Sequence, residues 1–162
     1  MFVVMPITLH PATFTDLYAP SPALAAGLAQ GFVGDEPGGR TALSEALTAM
    51  TADAGTDPFG VYWAQRGDTI VGLCSFKGGP DADGAVEIAY YVFPDFERQQ
   101  IGRRMAEALV LIAWQAGAAV VTARTLPHES ASTSILARLG FTRLDDVDDP
   151  EDGPVWAWGK AL

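Results

Sequence analysis

Three arginines are concentrated at one place in a chain that is otherwise strongly acidic. Arg98, Arg103 and Arg104 fall within seven residues, whereas the 162-residue chain carries a formal net charge of −10. The apolar stretch before them predicts a strand and the stretch after them predicts a helix. The first turn of a helix has unpaired N–H groups and a partial positive charge, which suit a phosphate or diphosphate. Gly102 lets the backbone approach such an anion without a Cβ in the way.

The elements that must position these arginines follow a mixed order. The predicted strands are Phe2–Leu9, Phe59–Gln65, Thr69–Phe76, Ala85–Phe93, Ala118–Arg124, Phe141–Leu144 and Val155–Gly159. The predicted helices are two short ones within residues 11–30, then Thr41–Met50, Ile101–Ala116 and Ser130–Leu139. One strand–helix–strand crossover joins the fourth and fifth strands, which should therefore be parallel. The order predicts a single α+β domain, residues 1–162, with a mixed, mostly antiparallel sheet of six to seven strands flanked by helices.

Composition favours a globular domain and disfavours several classes of partner. Hydrophobic residues make up 49% of the chain and charged residues 19%, which predicts an ordered core. The negative charge disfavours nucleic acid and anionic membranes, and no apolar run approaches the roughly 20 residues that span a bilayer. The N-terminus lacks the pattern of a signal peptide, and the single Cys74 suits the cytoplasm. With two His and one Cys far apart in sequence, no metal site is predicted.

Two further stretches predict properties of the surface. The stretch from Asp145 to Asp152 has six acidic residues and no basic residue, which predicts a solvated acidic loop. The alternative is an acidic lip that attracts a cationic molecule. The run Leu109–Trp114 is apolar all round, which implies burial against the sheet and against a partner subunit, and hence a homodimer.

Two blocks of sequence carry a resemblance to a known family. The first is Glu87-Ile88-Ala89-Tyr90-Tyr91-Val92 with the loop and helix that follow it, and the second runs from Ser130 to Leu139-Gly140-Phe141. Together with the order of strands and helices from about Phe59 to Phe141, they resemble the GNAT superfamily of acyl-CoA N-acetyltransferases. Either block alone would be weak, whereas the combination is fairly specific.

The resemblance implies a GNAT-like fold that binds acetyl-CoA. The fourth and fifth strands would splay apart, and pantetheine would lie in the gap against main-chain groups around Tyr91, Val92 and Phe93. The residues expected around the rest of the cofactor are Arg98, Gln99, Gln100, Ile101, Gly102, Arg103, Arg104 and Ser132. The family's loop reads roughly Gln/Arg-x-x-Gly-x-Gly/Ala, and here Glu97 takes the first place and Gln100 the place of the first Gly. We expect Gln100 to tolerate the required backbone only at a negative φ.

The resemblance also implies catalytic roles. An amine attacks the thioester, a backbone N–H near Val92 stabilises the oxyanion, and a carboxylate removes the amine's proton. Glu87 is the expected base, and the alternative is that it is a paired structural carboxylate at a sheet edge. Leu136 stands where many members carry a Tyr that protonates the leaving thiolate. A thiol has a reference pKa of about 8.5, so departure as the thiolate costs little near neutral pH and the missing Tyr is tolerable. The alternative is that Ser132, Tyr90 or His128 serves as the acid.

The sequence leaves two functional hypotheses open and disfavours a third. The first is an acetyl-CoA-dependent N-acetyltransferase that acts on a small cationic molecule or a protein N-terminus. The second is a non-catalytic relative that binds CoA or a regulatory ligand, which Glu97, Gln100 and Leu136 would favour. A dinucleotide oxidoreductase is disfavoured because no Gly-x-Gly-x-x-Gly follows the first strand.

Overall fold

The computed structural model describes residues 5–13, 22 and 48–162. Within them, one seven-stranded sheet has the order β1-β2-β3-β4-β5-β7-β6. Its strands are β1 (Ile7–Pro11), β2 (Val61–Arg66), β3 (Thr69–Phe76), β4 (Ala85–Val92), β5 (Val120–Thr125), β6 (Thr142–Asp149) and β7 (Gly153–Ala161). Helix α1 (Ile101–Gln115) connects β4 to β5, helix α2 (Ala131–Arg138) follows β5, and residues 48–53 are also helical.

The predicted fold class is confirmed. Every neighbouring pair of strands is antiparallel except β4 and β5, which are parallel as their helical crossover requires. The paired register of β4 and β5 runs from Ala85 and Val120 to Ile88 and Ala123 and stops there. Because β4 continues to Val92, the second half of that strand is free of its parallel neighbour, and this is the expected splay.

Most predicted elements lie within a few residues of the observed ones. The first strand is displaced, since it was predicted at Phe2–Leu9 and lies at Ile7–Pro11, while residues 1–4 fall outside the described part of the chain. The helices predicted within residues 11–30, and the part of Thr41–Met50 before residue 48, also lie outside the described residues.

The C-terminal acidic stretch differs from the prediction of a loop. Strand β6 does not end at Leu144 but runs to Asp149, so most of the acidic residues belong to a strand. The backbone of this stretch pairs with β7, for example Val147 with Val155, around an irregularity between Arg143 and Asp146. β6 is an edge strand, and its charged side chains stay largely exposed to water there.

The two faces of the sheet bury different clusters. Helix α1 packs Ile101, Met105 and Leu109 into a core that includes Ile88 and Val121. A second cluster contains Trp63, Ile70, Leu73 and Phe93. Because side chains alternate along a strand, Tyr90 and Val92 lie on the same face of β4 as Ile88, whereas Glu87 and Tyr91 lie on the other face.

The outer side of α1 remains exposed. Leu111 and Trp114 are 51% and 62% exposed. The apolar run Leu109–Trp114 was predicted to be buried on most sides, and within the single chain these two side chains are not. Among the described residues, the structure contains no helix that is long and apolar enough to cross a membrane.

Candidate functional site

The start of α1 is preceded by two residues in the left-handed region. Arg98 has a φ of 59° and Gln100, the N-cap, has a φ of 62°. The expectation that Gln100 keeps a negative φ is therefore wrong. A non-glycine residue costs about 1–2 kcal/mol in this region, but left-handed turns at a helix start orient successive N–H groups toward one point.

The first amides of α1 are left open by this arrangement. The first backbone bond of the helix runs from the Arg104 N–H to the Gln100 carbonyl at 3.2 Å. The Gln100 side chain makes no capping bond, and no acceptor in the described part of the chain bonds the N–H groups of Ile101, Gly102 or Arg103. Three donors therefore remain available to an anion.

These amides open onto a cavity of about 540 Å³ between α1, the end of β4 and α2. Its lining residues are Tyr90, Tyr91, Val92, Phe96, Glu97, Arg98, Gln100, Ile101, Gly102, Arg103, Ala131, Ser132, Ser134, Ile135 and Arg138. Three of them are guanidinium side chains and one is a carboxylate, so the cavity is cationic in an acidic protein. We call it the main cavity.

Three of the predicted residues have other partners. The Arg104 guanidinium donates to the Met5 carbonyl at 3.1 Å and does not line the main cavity. The Gln99 side-chain oxygen accepts from Arg66 at 2.7 Å and is likewise absent from the lining. The Phe93 ring is fully buried in the second cluster, and its N–H donates to the Val71 carbonyl at 3.0 Å.

Gly102 contributes to close packing as well as to access to the amides. A Cβ at this position would lie 3.1 Å from Cδ1 of Ile135, 3.4 Å from Cγ2 of Val92 and 3.7 Å from Cε2 of Tyr90. The missing side chain therefore lets the first turn of α1 approach both β4 and α2. The same close approach holds the Tyr90 ring at the wall of the main cavity.

A second cavity of about 110 Å³ lies where β4 and β5 part, and we call it the splay cavity. Its lining residues are Lys77, Glu87, Ile88, Ala89, Tyr90, Ala123, Arg124, Ser132 and Leu136. Tyr90 and Ser132 line both cavities, so they mark the place where the two adjoin. Because side chains alternate along β4, Glu87 lies on the face of the sheet opposite α1, whereas Tyr90 lies on the same face as α1. The splay cavity therefore has lining residues from both faces.

Glu87 is held by two cations. Its carboxylate lies 3.3 Å from Nζ of Lys77 and 3.5 Å from Nε of Arg124, and its side chain is 19% exposed. Arg124 also pairs with Asp149 of the β6–β7 hairpin. The backbone N–H groups of Glu151 and Asp152 lower the pKa of Asp149, and Arg124 adds to this effect. Glu87 is thus paired, but β4 is an interior strand and not a sheet edge.

Besides its charged residues, the splay cavity has two bordering hydroxyl groups and an apolar wall. Burial raises the pKa of the Tyr90 phenol, and interaction with the Ser132 side chain partly opposes that rise. Leu136, at the position where the family often has a Tyr, is fully buried and contributes only an apolar wall. Tyr90 and Ser132 are therefore the hydroxyl groups that border this space.

The remaining predicted residues are placed as follows. Ser130, and not Ser132, caps α2: its Oγ accepts from the Thr133 N–H at 3.3 Å, and Thr133 returns a bond. Ser132 is thereby free to border the cavities from the first turn. His128 is exposed, with Nδ1 3.1 Å from the Glu129 carbonyl, and it lines neither cavity. Among the described residues, no group of three or more His, Cys, Asp or Glu could hold a metal ion.

Sequence reasoning did not single out Lys77, Arg124 or Arg138. Lys77 and Glu87 face each other because the turn at Asp81–Gly84 sets the register of β3 and β4, in which Phe76 pairs with Ile88. The sequence predicted the position of that turn, but not which residues of β3 and β4 it brings opposite each other. Arg138 comes to the main cavity from the last turn of α2, where a basic residue is ordinary helix chemistry.

The strained loop gives a prediction about stability. Replacing Gln100 with Gly relieves the left-handed strain, which outweighs the entropy that Gly adds to the unfolded chain, so we expect stabilisation of up to about 1 kcal/mol. Gln99→Gly is the matched control: Gln99 is not in the left-handed region and bonds Arg66 and Asp95, so this change should destabilise. Urea unfolding measures both, and equal losses of stability would contradict the strain at Gln100.

A family model and solved structures match the chain. Residues 8–142 match the model described as "Acetyltransferase (GNAT) domain". No curated protein sequence matches the chain.

Several solved structures share its fold at low sequence identity. The acetyltransferase of Salmonella typhimurium that modifies the N-terminal serine of 50S ribosomal subunit protein L7/L12 is 16% identical, with a TM-score of 0.70 over 99% of this chain and 97% of that one. A ribosomal L7/L12 alpha-N-protein acetyltransferase in complex with coenzyme A is 16% identical, with a TM-score of 0.69 over 99% and 96%. The yncA protein of Salmonella typhimurium with its cofactor acetyl-CoA is 21% identical, with a TM-score of 0.61 over 96% and 94%.

Proposed function

This chain belongs to the GNAT acetyltransferase family, and on that premise we propose that it transfers the acetyl group of acetyl-CoA to a primary amine. The observation that carries the proposal is the set of open amides at Ile101, Gly102 and Arg103, which face a cavity lined by Arg98, Arg103 and Arg138. A diphosphate needs such donors and such charge. Coenzyme A and acetyl-CoA are bound in two of the structural neighbours.

The residues present fit acetyl-CoA along the length of the main cavity. Arg98, Arg103 and the open amides lie at the α1 end and would hold the diphosphate, and Arg138 adds positive charge from α2. Tyr91 and Val92 border the same cavity, and their main-chain groups would bind pantetheine. Tyr90 and Ser132, at the junction with the splay cavity, would border the thioester. When bound, acetyl-CoA supplies an activated carbonyl that an amine attacks directly in a ternary complex.

Glu87 is the base in this proposal. It borders the splay cavity from the face opposite α1, so an amine that approaches from that face meets a carboxylate beside the reaction centre. Lys77 and Arg124 fix the carboxylate in position through ion pairs from β3 and β5. An ammonium group loses a proton to Glu87, directly or through a water molecule, before it attacks. A backbone N–H near Val92 stabilises the oxyanion.

The acidic β6–β7 hairpin supports a cationic acceptor. Asp149 pairs with Arg124, which contacts Glu87, so the hairpin is tied to the site by a chain of ion pairs. Asp145, Asp148 and Glu151 are exposed on the same hairpin. Their charge attracts ammonium groups and repels anions. A small cationic molecule or a protein N-terminus fits this field, and the L7/L12-modifying neighbour acts on an N-terminal serine.

The assembly and compartment are also proposals. A homodimer would bury Leu111 and Trp114, the exposed apolar pair on α1, and sedimentation velocity of wild type and Trp114→Ser would detect it. The cytoplasm remains the proposed compartment because Cys74, the one cysteine, is a buried free thiol.

Thiol release from acetyl-CoA in the presence of an amine panel tests the activity. The panel contains a peptide with a free N-terminus, the same peptide with a blocked N-terminus, and a polyamine. We expect release that depends on a free amine and that slows as salt screens the acidic hairpin. Binding of acetyl-CoA without release for any amine would support the non-catalytic alternative, which the buried Leu136 favours.

A further inference from the structure

The Tyr90 hydroxyl is a buried polar atom without a hydrogen-bond partner in the part of the chain that the structure describes. The Ser132 side chain interacts with the phenol, but no hydrogen bond of good geometry joins them. A buried donor left unpaired costs about 1–3 kcal/mol, so such an atom needs an explanation. A ligand atom that accepts its hydrogen bond would provide one.

The position of this hydroxyl group narrows the choice of ligand atom. Tyr90 lines both the main cavity and the splay cavity, so its side chain stands where the two adjoin. The main cavity holds the open amides at one end, and the splay cavity holds Glu87. A thioester bound with its diphosphate on α1 and its carbonyl near Glu87 has its sulfur between these two points.

The Tyr90 ring lies between the first turn of α1 and helix α2. The ring packs against Gly102, where a Cβ would lie 3.7 Å from Cε2. Helix α2 presents the apolar Leu136 to the splay cavity and, one turn earlier, Ser132. Burial raises the pKa of the phenol, so it carries its proton at neutral pH and is a hydrogen-bond donor there.

We propose that the Tyr90 hydroxyl binds the sulfur of CoA and protonates it as it leaves. This inference rests on the function proposed above and adds a residue on β4 to it. As the carbon–sulfur bond breaks, its electron pair stays on sulfur and the Tyr90 proton moves to that atom. The phenolate then regains a proton from solvent on the side of the cavity where Ser132 lies. Of the two protons that the ammonium nitrogen loses, one balances this step and the other is released to solvent through Glu87.

Calorimetric titration tests the contact to sulfur without any turnover. CoA and desulfo-CoA, which lacks the thiol, are each titrated into wild type and Tyr90→Phe. We expect Tyr90→Phe to bind CoA roughly 5- to 10-fold more weakly, as the loss of one hydrogen bond predicts, and to bind desulfo-CoA unchanged. The change removes only an unpaired hydroxyl, so the fold should be retained. Tyr62→Phe is the control, since that phenol bonds the Pro58 carbonyl and lines neither cavity.

Kinetics separate proton donation from binding. With acetyl-CoA we expect Tyr90→Phe to lower turnover at least 10-fold, whereas with the acetyl thioester of 4-nitrothiophenol, whose thiolate leaves without a proton, the loss should shrink. Equal losses with both thioesters, or equal weakening of CoA and desulfo-CoA, would overturn the role of Tyr90. If wild type binds neither ligand, the proposed function itself fails.

Discussion

Replacing Glu87 with Gln is expected to lower amine-dependent turnover by about 10²- to 10⁴-fold while the affinity for acetyl-CoA stays unchanged. Gln keeps the shape of the side chain that Lys77 and Arg124 hold, but it cannot accept a proton from the acceptor. Glu87 borders the splay cavity and is absent from the lining of the main cavity, so cofactor binding should not depend on it. Steady-state kinetics and calorimetric titration measure the two quantities.

The pH dependence distinguishes a base from a structural brace. Near pH 10 the α-amino group of a peptide acceptor arrives largely deprotonated, so with that acceptor the difference between wild type and Glu87→Gln should narrow. The control is Glu151→Gln, which removes one negative charge from the hairpin outside both cavities and should change turnover only slightly. A loss that stays the same at every pH would mean that Glu87 only braces the strands.

Replacing both Arg98 and Arg103 with Ala is expected to weaken acetyl-CoA binding by roughly 10- to 100-fold. Both side chains line the main cavity beside the open amides, and each supplies charge to a diphosphate. The expected loss is modest because Arg103 is partly exposed and already pairs with Glu107 at 3.1 Å. Calorimetric titration at low and high salt measures the loss, which should be smaller at high salt.

Arg104 supplies the matched control for this pair. It belongs to the same arginine cluster, but its guanidinium bonds the Met5 carbonyl. Arg104→Ala should therefore leave acetyl-CoA affinity unchanged, and S-acetylpantetheine, which has no diphosphate, should bind the Arg98→Ala/Arg103→Ala variant as it binds wild type. A loss in Arg104→Ala equal to that of the double variant would show that only the total charge matters.

The order of elements was predictable because local signals determine it. Apolar alternation marked β2, β3 and β4, and the helical spacing after Gln100 marked α1, whose crossover then required a parallel pair. The end of β6 was not predictable in the same way. Its acidic residues have low strand preference by themselves, and they are strand because β7 supplies backbone partners from further along the chain.

The part of the candidate site that is formed by backbone amides was predictable, whereas the side-chain pairings were less so. The sequence predicted a helix that starts soon after β4, and the open amides follow from the geometry of a helix start. The partner of Arg104 is Met5, 99 residues away, and no local pattern indicates that contact. The pairing of Glu87 with Lys77 and Arg124 depends on the registers of β3 and β5 against β4, which sequence reasoning did not fix. The left-handed φ of Gln100 contradicts the ordinary preference of its residue type.

The central claim is that the first amides of α1 hold a diphosphate, and amide NMR tests it most directly. The ¹⁵N-labelled protein is titrated with CoA and, separately, with S-acetylpantetheine. We predict that the N–H signals of Ile101, Gly102 and Arg103 move downfield with CoA and stay in place with S-acetylpantetheine. Saturating CoA that leaves these three signals unmoved would contradict the account.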